Sequence, residues 1–158
     1  MIPRRKKEGY FKRGEGAPDP IEVIVKRRVS FGEADVMGIA WHGRYSAYFE
    51  MASAELGKKC GLSYDEVRKE NLRAPIVQFH VDYHSPLFLD EEFQVTAKLI
   101  WNEGARLNTE FVISKSGGET AATGYTVQML TDVESGAPCM ITPPLLDKCR
   151  RRWKKGDF

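Results

Sequence analysis

The chain carries the stretch Asp35-Val-Met-Gly38-Ile-Ala-Trp-His42-Gly-Arg-Tyr45-Ser-Ala-Tyr48-Phe49-Glu50, a glycine-containing turn that runs into an amphipathic segment. Apolar residues recur here every three or four positions: Tyr45, Tyr48, Phe49, Ala52 and Leu56. That spacing puts them on one face of a helix, and Gly61 follows as a stop signal. The pattern therefore predicts a helix from about residue 43 to 60.

The start of this helix has no evident side-chain cap, because no Ser, Thr or Asp immediately precedes its first turn. Its leading N–H groups are then available to an oxygen of a ligand, and the helix dipole favours negative charge there. Asp35 lies just upstream, where a carboxylate can act as general base or nucleophile. His42 is the second candidate. The alternative is structural, with Asp35 ending a strand and His42 packing beside Trp41 and Tyr45.

These residues resemble the signature of hotdog-fold acyl-CoA thioesterases of the 4-hydroxybenzoyl-CoA thioesterase type. The pattern Asp-x-x-Gly-Ile-x-Trp-His-x-x-Tyr-x-x-Tyr-Phe-Glu is met by Asp35, Gly38, Ile39, Trp41, His42, Tyr45, Tyr48, Phe49 and Glu50. The likeness continues through Tyr83, Pro86 and Asp90 and covers roughly residues 21 to 135. Two positions depart from it, since Arg44 stands where the family often has Asn, and Ser53 where it often has Arg.

The resemblance implies hydrolysis of an acyl-CoA thioester, with CoA as part of the substrate and no separate cofactor. Asp35 would attack the thioester carbonyl or activate a water, and the N–H groups around His42 and Gly43 would hold the oxyanion. The same stretch would supply the substrate-binding residues Gly43, Trp41, Arg44, Tyr45 and Glu50. The phosphates of CoA require basic groups, and the candidates are Lys58, Lys59, Arg44 and the basic C-terminal cluster.

The resemblance also implies that two copies join their sheets edge to edge, with the active sites at the subunit interface. A sheet with open edges and one covering helix independently favours a homo-oligomer, either a dimer or a tetramer. Two other function classes remain open. A hotdog-type hydratase or dehydratase would use the same fold, although the spacing from Asp35 to His42 argues against it. A non-catalytic acyl-CoA-binding protein would lack turnover.

The remaining elements indicate an α+β domain, in which an antiparallel sheet of about five strands wraps around one long helix. Strand-like stretches lie at about residues 21–30, 75–84, 92–102, 105–115 and 119–132, and two glycine-containing turns connect the last three into a meander. Between the long helix and the second strand, Ser63 and Glu66 match a capping box that opens a short helix ending near Asn71.

Charge is unevenly distributed along the chain. Residues 1–13 carry +5 and residues 148–155 carry +6, so with a total of +2 the remainder carries −9. An acidic body with basic ends does not resemble a nucleic-acid-binding domain. We expect a flexible basic arm at residues 1–20, a catalytic domain at 21–135 and a basic extension at 136–158 that forms a short helix after Pro143 and Pro144.

Several other features receive a structural interpretation. His80-x-Asp82-x-His84 follows one strand face, but alternate residues lie about 7 Å apart, which disfavours a shared metal ion. Cys60 closes a helix without a nearby His, and with Cys139 and Cys149 it is interpreted as a reduced thiol in the cytoplasm. From the sequence we expect no membrane span and no secretory signal. It also contains no glycine-rich phosphate loop.

Overall fold

The computed structural model describes residues 9–158 and has two main layers, an antiparallel sheet and a long helix on one of its faces. The elements are, in chain order, β1 (Ile21–Arg28), α1 (Tyr45–Cys60), α2 (Tyr64–Lys69), β2 (Leu72–Arg73), β3 (Ile76–Tyr83), β4 (Glu92–Ile100), β5 (Arg106–Lys115), β6 (Thr120–Met129), β7 (Thr131–Asp132) and α3 (Pro144–Lys154). The main sheet has the order β1-β4-β5-β6-β3, while β2 and β7 form a separate ribbon. The predicted α+β class and the β4-β5-β6 meander are confirmed.

The apolar stripe of α1 holds the two layers together. Its buried residues are Tyr45, Tyr48, Phe49, Ala52, Leu56 and Cys60. The Phe49 ring stacks on that of Phe111 with centroids 4.2 Å apart, and the Tyr48 ring packs 4.8 Å from Phe93. Burial of each such side chain is worth about 1.5–3 kcal/mol. The helix ends at Gly61, whose φ of 72° is accessible to glycine at little cost.

Gly124 on β6 allows α1 to approach the sheet closely. A Cβ atom at this position would lie 2.2 Å from the carbonyl oxygen of His80 and 2.7 Å from the Phe49 ring. Any larger side chain would push the helix away from the strands that it covers. Gly124 therefore fixes the distance between the two layers.

The short helix α2 begins with the predicted capping box. The Ser63 N–H donates to the Glu66 carboxylate over 3.0 Å, and the Glu66 N–H donates to Ser63 Oγ over 3.4 Å. The helix ends at Lys69, two residues before Asn71, whose φ of 54° is left-handed and ends the helical path. The chain then enters β2, which pairs with β7.

The basic C-terminal segment forms α3 and packs on the body. The Trp153 ring is buried against Trp101 at 5.1 Å, and its Nε1–H donates to the carbonyl of Asp19 over 2.7 Å. The Arg150 guanidinium is also buried and donates to the carbonyl of Gly104. This segment is therefore part of the folded domain.

The segment before β1 differs from the flexible arm expected at residues 1–20. The Tyr10 hydroxyl donates to Asp82 over 2.5 Å, and the N–H groups of Tyr10 and Phe11 donate to Glu110 over 2.6 and 2.8 Å. The Tyr10 ring also packs on Tyr125. Residues 10 and 11 are thus attached to the outer face of the sheet, because two aromatic rings find partners there. Residues 1–8 of the expected arm lie outside the described residues.

Candidate active site

Asp35 lies at the start of a tight turn. Its N–H donates to the carbonyl of Ile39 over 2.8 Å, and its carbonyl accepts from the N–H of Gly38 over 3.0 Å. Gly38 has a φ of 75°, which a residue with a Cβ would adopt at a cost. The carboxylate Oδ1 accepts the N–H of Met37 over 2.8 Å. The second oxygen, Oδ2, accepts no hydrogen bond from residues 9–158, so it is available to take a proton or attack a carbon.

Backbone hydrogen bonds hold this turn on the body from both sides. The Leu89 N–H donates to the carbonyl of Gly38 over 2.9 Å, and the Ala40 N–H donates to that of Leu87 over 2.8 Å. The Trp41 N–H donates to the carbonyl of Glu33 over 2.9 Å. The position of Asp35 is therefore set by a network of main-chain bonds.

The approach to α1 is uncapped, as the sequence predicts. One turn of 3₁₀-helix, His42–Arg44, precedes α1, and neither Trp41 nor Arg44 supplies a side-chain cap. The Arg44 N–H donates to the carbonyl of Trp41 over 2.9 Å, whereas the N–H groups of His42 and Gly43 donate to no described residue. A Cβ at Gly43 would lie 2.3 Å from the Trp41 ring, so a larger residue here would displace that exposed ring.

The His42 side chain is exposed and lies 5.0 Å, ring to ring, from Trp41, which is also exposed. Its main-chain carbonyl accepts the hydroxyl hydrogen of Tyr83 over 3.0 Å. Within the described part of the chain, no hydrogen bond joins the imidazole to Asp35. The fold therefore places both candidate catalytic residues before α1 without pairing their side chains.

Glu33 is a buried carboxylate that is not among the site residues predicted from the sequence. It is 8% exposed, pairs with Arg27, and accepts the N–H of Ser30 over 2.9 Å and the Tyr48 hydroxyl over 3.2 Å. Burial acts to raise the pKa of Glu33, but the hydrogen bonds from Ser30 and Tyr48 and the charge of Arg27 outweigh it and lower the pKa. The Ser-x-x-Glu spacing is a capping box and could have revealed this residue.

Tyr45 is buried beneath the surface of the site. Its ring packs edge-on against Tyr83 at 4.8 Å and against Tyr48 at 5.6 Å. Burial raises the pKa of Tyr45 to about 12, so its hydroxyl stays protonated at neutral pH. Its side chain supports the first turn of α1 from below.

The other predicted substrate-binding residues lie apart from Asp35. The Arg44 guanidinium is exposed and donates to the carbonyl of Gly32 over 3.0 Å. Glu50 lies in the second turn of α1, where its carboxylate accepts the hydroxyl hydrogen of Tyr64 on α2. Within one chain, Glu50 is therefore held by α2 and makes no hydrogen bond to Asp35.

The basic candidates for the CoA phosphates have partners of their own. Lys58 forms an exposed ion pair with Glu55 at 2.7 Å, and Lys59 donates to the carbonyl of Glu22 over 2.9 Å. Both lie near the C-terminal end of α1, at the opposite end of the helix from His42. In the C-terminal cluster, Arg151 is exposed on α3.

The strand motif and the cysteines contribute no catalytic group to this site. His80 Nε2 lies 3.0 Å from the Asp82 carboxylate, and the Tyr10 hydroxyl lowers the pKa of Asp82. Among residues 9–158 no group of three or more His, Cys, Asp or Glu side chains is arranged to hold a metal ion. The hydrogen bond with the Cys149 thiol is the main cause, and burial the second, of a raised pKa of the Cys60 thiol. A reactive thiolate is therefore disfavoured at Cys60.

The edge strand β3 borders the site and exposes several large apolar side chains. Ile76, Val77, Phe79 and Tyr83 are each about half exposed. Around Asp35, Phe31, Val36 and Met37 are exposed still further. No helix in residues 9–158 is both long and apolar enough to cross a membrane.

Comparison with protein families gives a match over residues 29–149 to the thioesterase-like superfamily. The chain belongs to this superfamily. It is accordingly a thioester hydrolase, and the matched region contains Asp35, the turn and all of α1. One curated relative, from Aquifex aeolicus, is 37% identical over 76 residues, which are 48% of this chain and 59% of that protein.

Solved structures share the fold of this superfamily member. A DHNA-CoA thioesterase from Staphylococcus aureus is 24% identical, with a TM-score of 0.73 over 87% of this chain and 96% of that one. A second Staphylococcus aureus protein, solved in complex with CoA, is 19% identical, with a TM-score of 0.76 over 88% of this chain and 87% of that one. The sheet and its long helix therefore adopt the hotdog fold.

Proposed function

We propose that this superfamily member hydrolyses acyl-CoA thioesters. One observation carries the proposal: Asp35 offers an unengaged carboxylate oxygen just before a helix whose leading N–H groups, those of His42 and Gly43, are also unengaged. A base or nucleophile beside an oxyanion site is what acyl transfer to water requires. Similarity to a DHNA-CoA thioesterase and to a protein solved with CoA supports CoA as the thiol.

In the proposed reaction, the thioester carbonyl lies against the N–H groups of His42 and Gly43. Asp35 either removes a proton from a water that attacks the carbonyl carbon or attacks that carbon itself. The C–S bond then breaks, CoA leaves as a thiolate that takes up a proton, and the acyl group ends as a carboxylate. If Asp35 is the nucleophile, water hydrolyses the resulting anhydride. The partial positive charge at the helix start stabilises the oxyanion in both cases.

The surrounding residues position the substrate in this proposal. The exposed rings of Trp41 and His42 border the path to the carbonyl, and the signature they share with the 4-hydroxybenzoyl-CoA thioesterase type supports that role. Arg44, Lys58 and Lys59 remain the candidates for binding the CoA phosphates, because all three are exposed cations. Tyr45 and Glu50 contribute to the shape of the substrate-binding site.

We further propose that a second copy completes the site. The apolar side chains of β3 lie on an open sheet edge, and pairing two such edges would remove both from solvent. The same strand carries Tyr83, which contacts the backbone of His42, so an interface at β3 adjoins the catalytic turn. The resulting assembly is a dimer, or a tetramer of two such dimers.

Release of free thiol from a panel of acyl-CoAs tests the proposed function directly. The panel contains butanoyl-, hexadecanoyl- and benzoyl-CoA, and crotonyl-CoA is added to monitor hydration of its double bond. We expect thiol release from at least one ester and no hydration of crotonyl-CoA. Hydration without thiol release would indicate a hydratase, and binding without either reaction would indicate a non-catalytic acyl-CoA-binding protein.

A further inference from the structure

Two neighbouring pockets run along one flank of α1, between the helix and the sheet. The smaller, of about 280 Å³, borders the first half of the helix at Ser46, Ala47 and Glu50. The larger, of about 610 Å³, lies between the second half of α1, α2 and the inner face of the sheet. Ser53 and Gln128 line both pockets, so the two adjoin midway along the helix.

The larger pocket is lined mainly by aliphatic side chains: Leu56, Leu62, Val67, Leu72, Leu99 and Leu107. Its volume is about four times that of the roughly 150 Å³ apolar cavity that admits benzene. Among its lining residues the aromatic one is Tyr64. A cavity with such walls favours a flexible hydrocarbon, because a flat ring would fill only part of the volume.

The two pockets together form an elongated strip. Ser46 and Cys60 line its opposite ends, and fourteen residues of α-helix correspond to about 21 Å along the axis. The strip is therefore longer than a single aromatic ring and matches an extended hydrocarbon chain in shape. Arg68 and Arg73 also line the larger pocket and are exposed, so their aliphatic stems can border it while their charges remain in water.

We infer that this strip is the binding site for a long straight-chain acyl group. The inference rests on the proposed function and specifies its substrate class. The thioester end lies toward the N-terminal half of α1, where the smaller pocket opens, and the methyl end lies among the leucines near Cys60. Each additional buried methylene strengthens binding by about fourfold, up to the length of the strip.

A chain-length series tests the inference. Straight-chain acyl-CoAs from 4 to 16 carbons, and benzoyl-CoA, are compared below their micellar concentrations. We expect kcat/KM to rise at least about 100-fold from butanoyl- to hexadecanoyl-CoA, with benzoyl-CoA near the short-chain end. A flat profile, or one with benzoyl-CoA as the best substrate, would overturn the long-chain site and leave the thioesterase proposal standing.

Cavity-filling variants locate the chain. Leu107→Phe places a ring in the larger pocket from β5, and Val133→Phe places one there from a loop. Because the two positions lie in different parts of the fold, we expect at least one of the variants to fold. Either should lower the hexadecanoyl-to-butanoyl ratio of kcat/KM at least about tenfold. The control is Val112→Phe, which adds a ring to the outer face of the same strand and should leave that ratio unchanged. An unchanged ratio in folded Leu107→Phe and Val133→Phe would place the chain elsewhere.

If no thioester is hydrolysed, measurements of acyl-CoA binding still test the acyl site independently of the proposed hydrolase. In that case the thermal shift caused by each acyl-CoA is measured on the wild-type protein and on Leu107→Phe. A shift that grows with chain length and is reduced by Leu107→Phe would retain the acyl site and reject the hydrolase. Equal shifts for all chain lengths would reject the acyl site as well.

Discussion

The hydroxyl of Tyr83 donates a hydrogen bond to the main-chain carbonyl of His42 over 3.0 Å. Tyr83 ends the edge strand β3, whereas His42 begins the turn whose N–H groups we assign to the oxyanion. The contact therefore couples the edge of the sheet to the catalytic turn. It also offers a way to disturb the oxyanion site without changing a residue that contacts the substrate.

Tyr83→Phe removes this bond and keeps the ring on Tyr45. The substitution should lower kcat about 3- to 10-fold, since the turn loses one of the contacts that position it. A bond of this kind contributes about 1 kcal/mol, so Tm should fall by about 3 °C or less. Tyr125→Phe, on the outer face of the sheet, is the matched control. Unchanged kcat in Tyr83→Phe would remove the hydroxyl from the positioning of the turn.

The assembly is tested by placing a charge on the exposed edge of β3. Val77 and Ile24 are 54% and 53% exposed, and they lie on the two opposite edge strands β3 and β1. Val77→Asp should give a monomer in light scattering and lose most of its activity, because like charges would meet across the interface. Ile24→Asp should remain oligomeric and active. The opposite pattern would move the interface to β1.

Glu33 should make stability depend on pH in the acid range. Its folded pKa is lowered, so its contribution is fully present above the unfolded value of about 4.3 and is lost as pH falls through the folded pKa. Thermal unfolding of the wild type should therefore show a falling Tm below about pH 4.3. In Glu33→Gln, Tm should be lower at neutral pH and decline less in acid. Parallel Tm curves for the two proteins would contradict this role.

Arg150 and Arg151 are adjacent but should behave differently. Arg150 is 9% exposed, donates to the carbonyl of Gly104 and lies 5.8 Å from the Trp101 ring centroid, whereas Arg151 is exposed. Arg150→Gln leaves that carbonyl without its donor, which costs about 2 kcal/mol and should lower Tm by about 6 °C. Arg151→Gln should leave Tm unchanged. Equal Tm values for the two variants would contradict the structural role of Arg150.

The elements of the fold were largely predictable because their signals are local. The three-and-four spacing from Tyr45 to Leu56 predicted the start of α1 to within two residues, and the strand-like stretches at 92–102 and 105–115 contain β4 and β5. The attachment of Tyr10 to Asp82 was not predictable, since it joins residues 72 positions apart and no local pattern links them.

The candidate site was predictable in composition and only partly in geometry. The turn at Asp35 and the uncapped approach to α1 follow from Gly38 and from the absence of a capping side chain. The hydrogen bond between Glu50 and Tyr64 and the apolar strip along α1 depend on how α2 folds back onto the long helix. Sequence periodicity contains no information on that packing.

The central claim is tested most directly by measuring kcat of the Asp35→Asn protein with an acyl-CoA that the wild-type protein hydrolyses. The substitution keeps the size of the side chain and removes the charge that acts as base or nucleophile. With Tm and assembly unchanged, kcat should fall by about 10² to 10⁴-fold. A folded, fully assembled Asp35→Asn protein that retains wild-type kcat would contradict the assignment of Asp35 as the catalytic group.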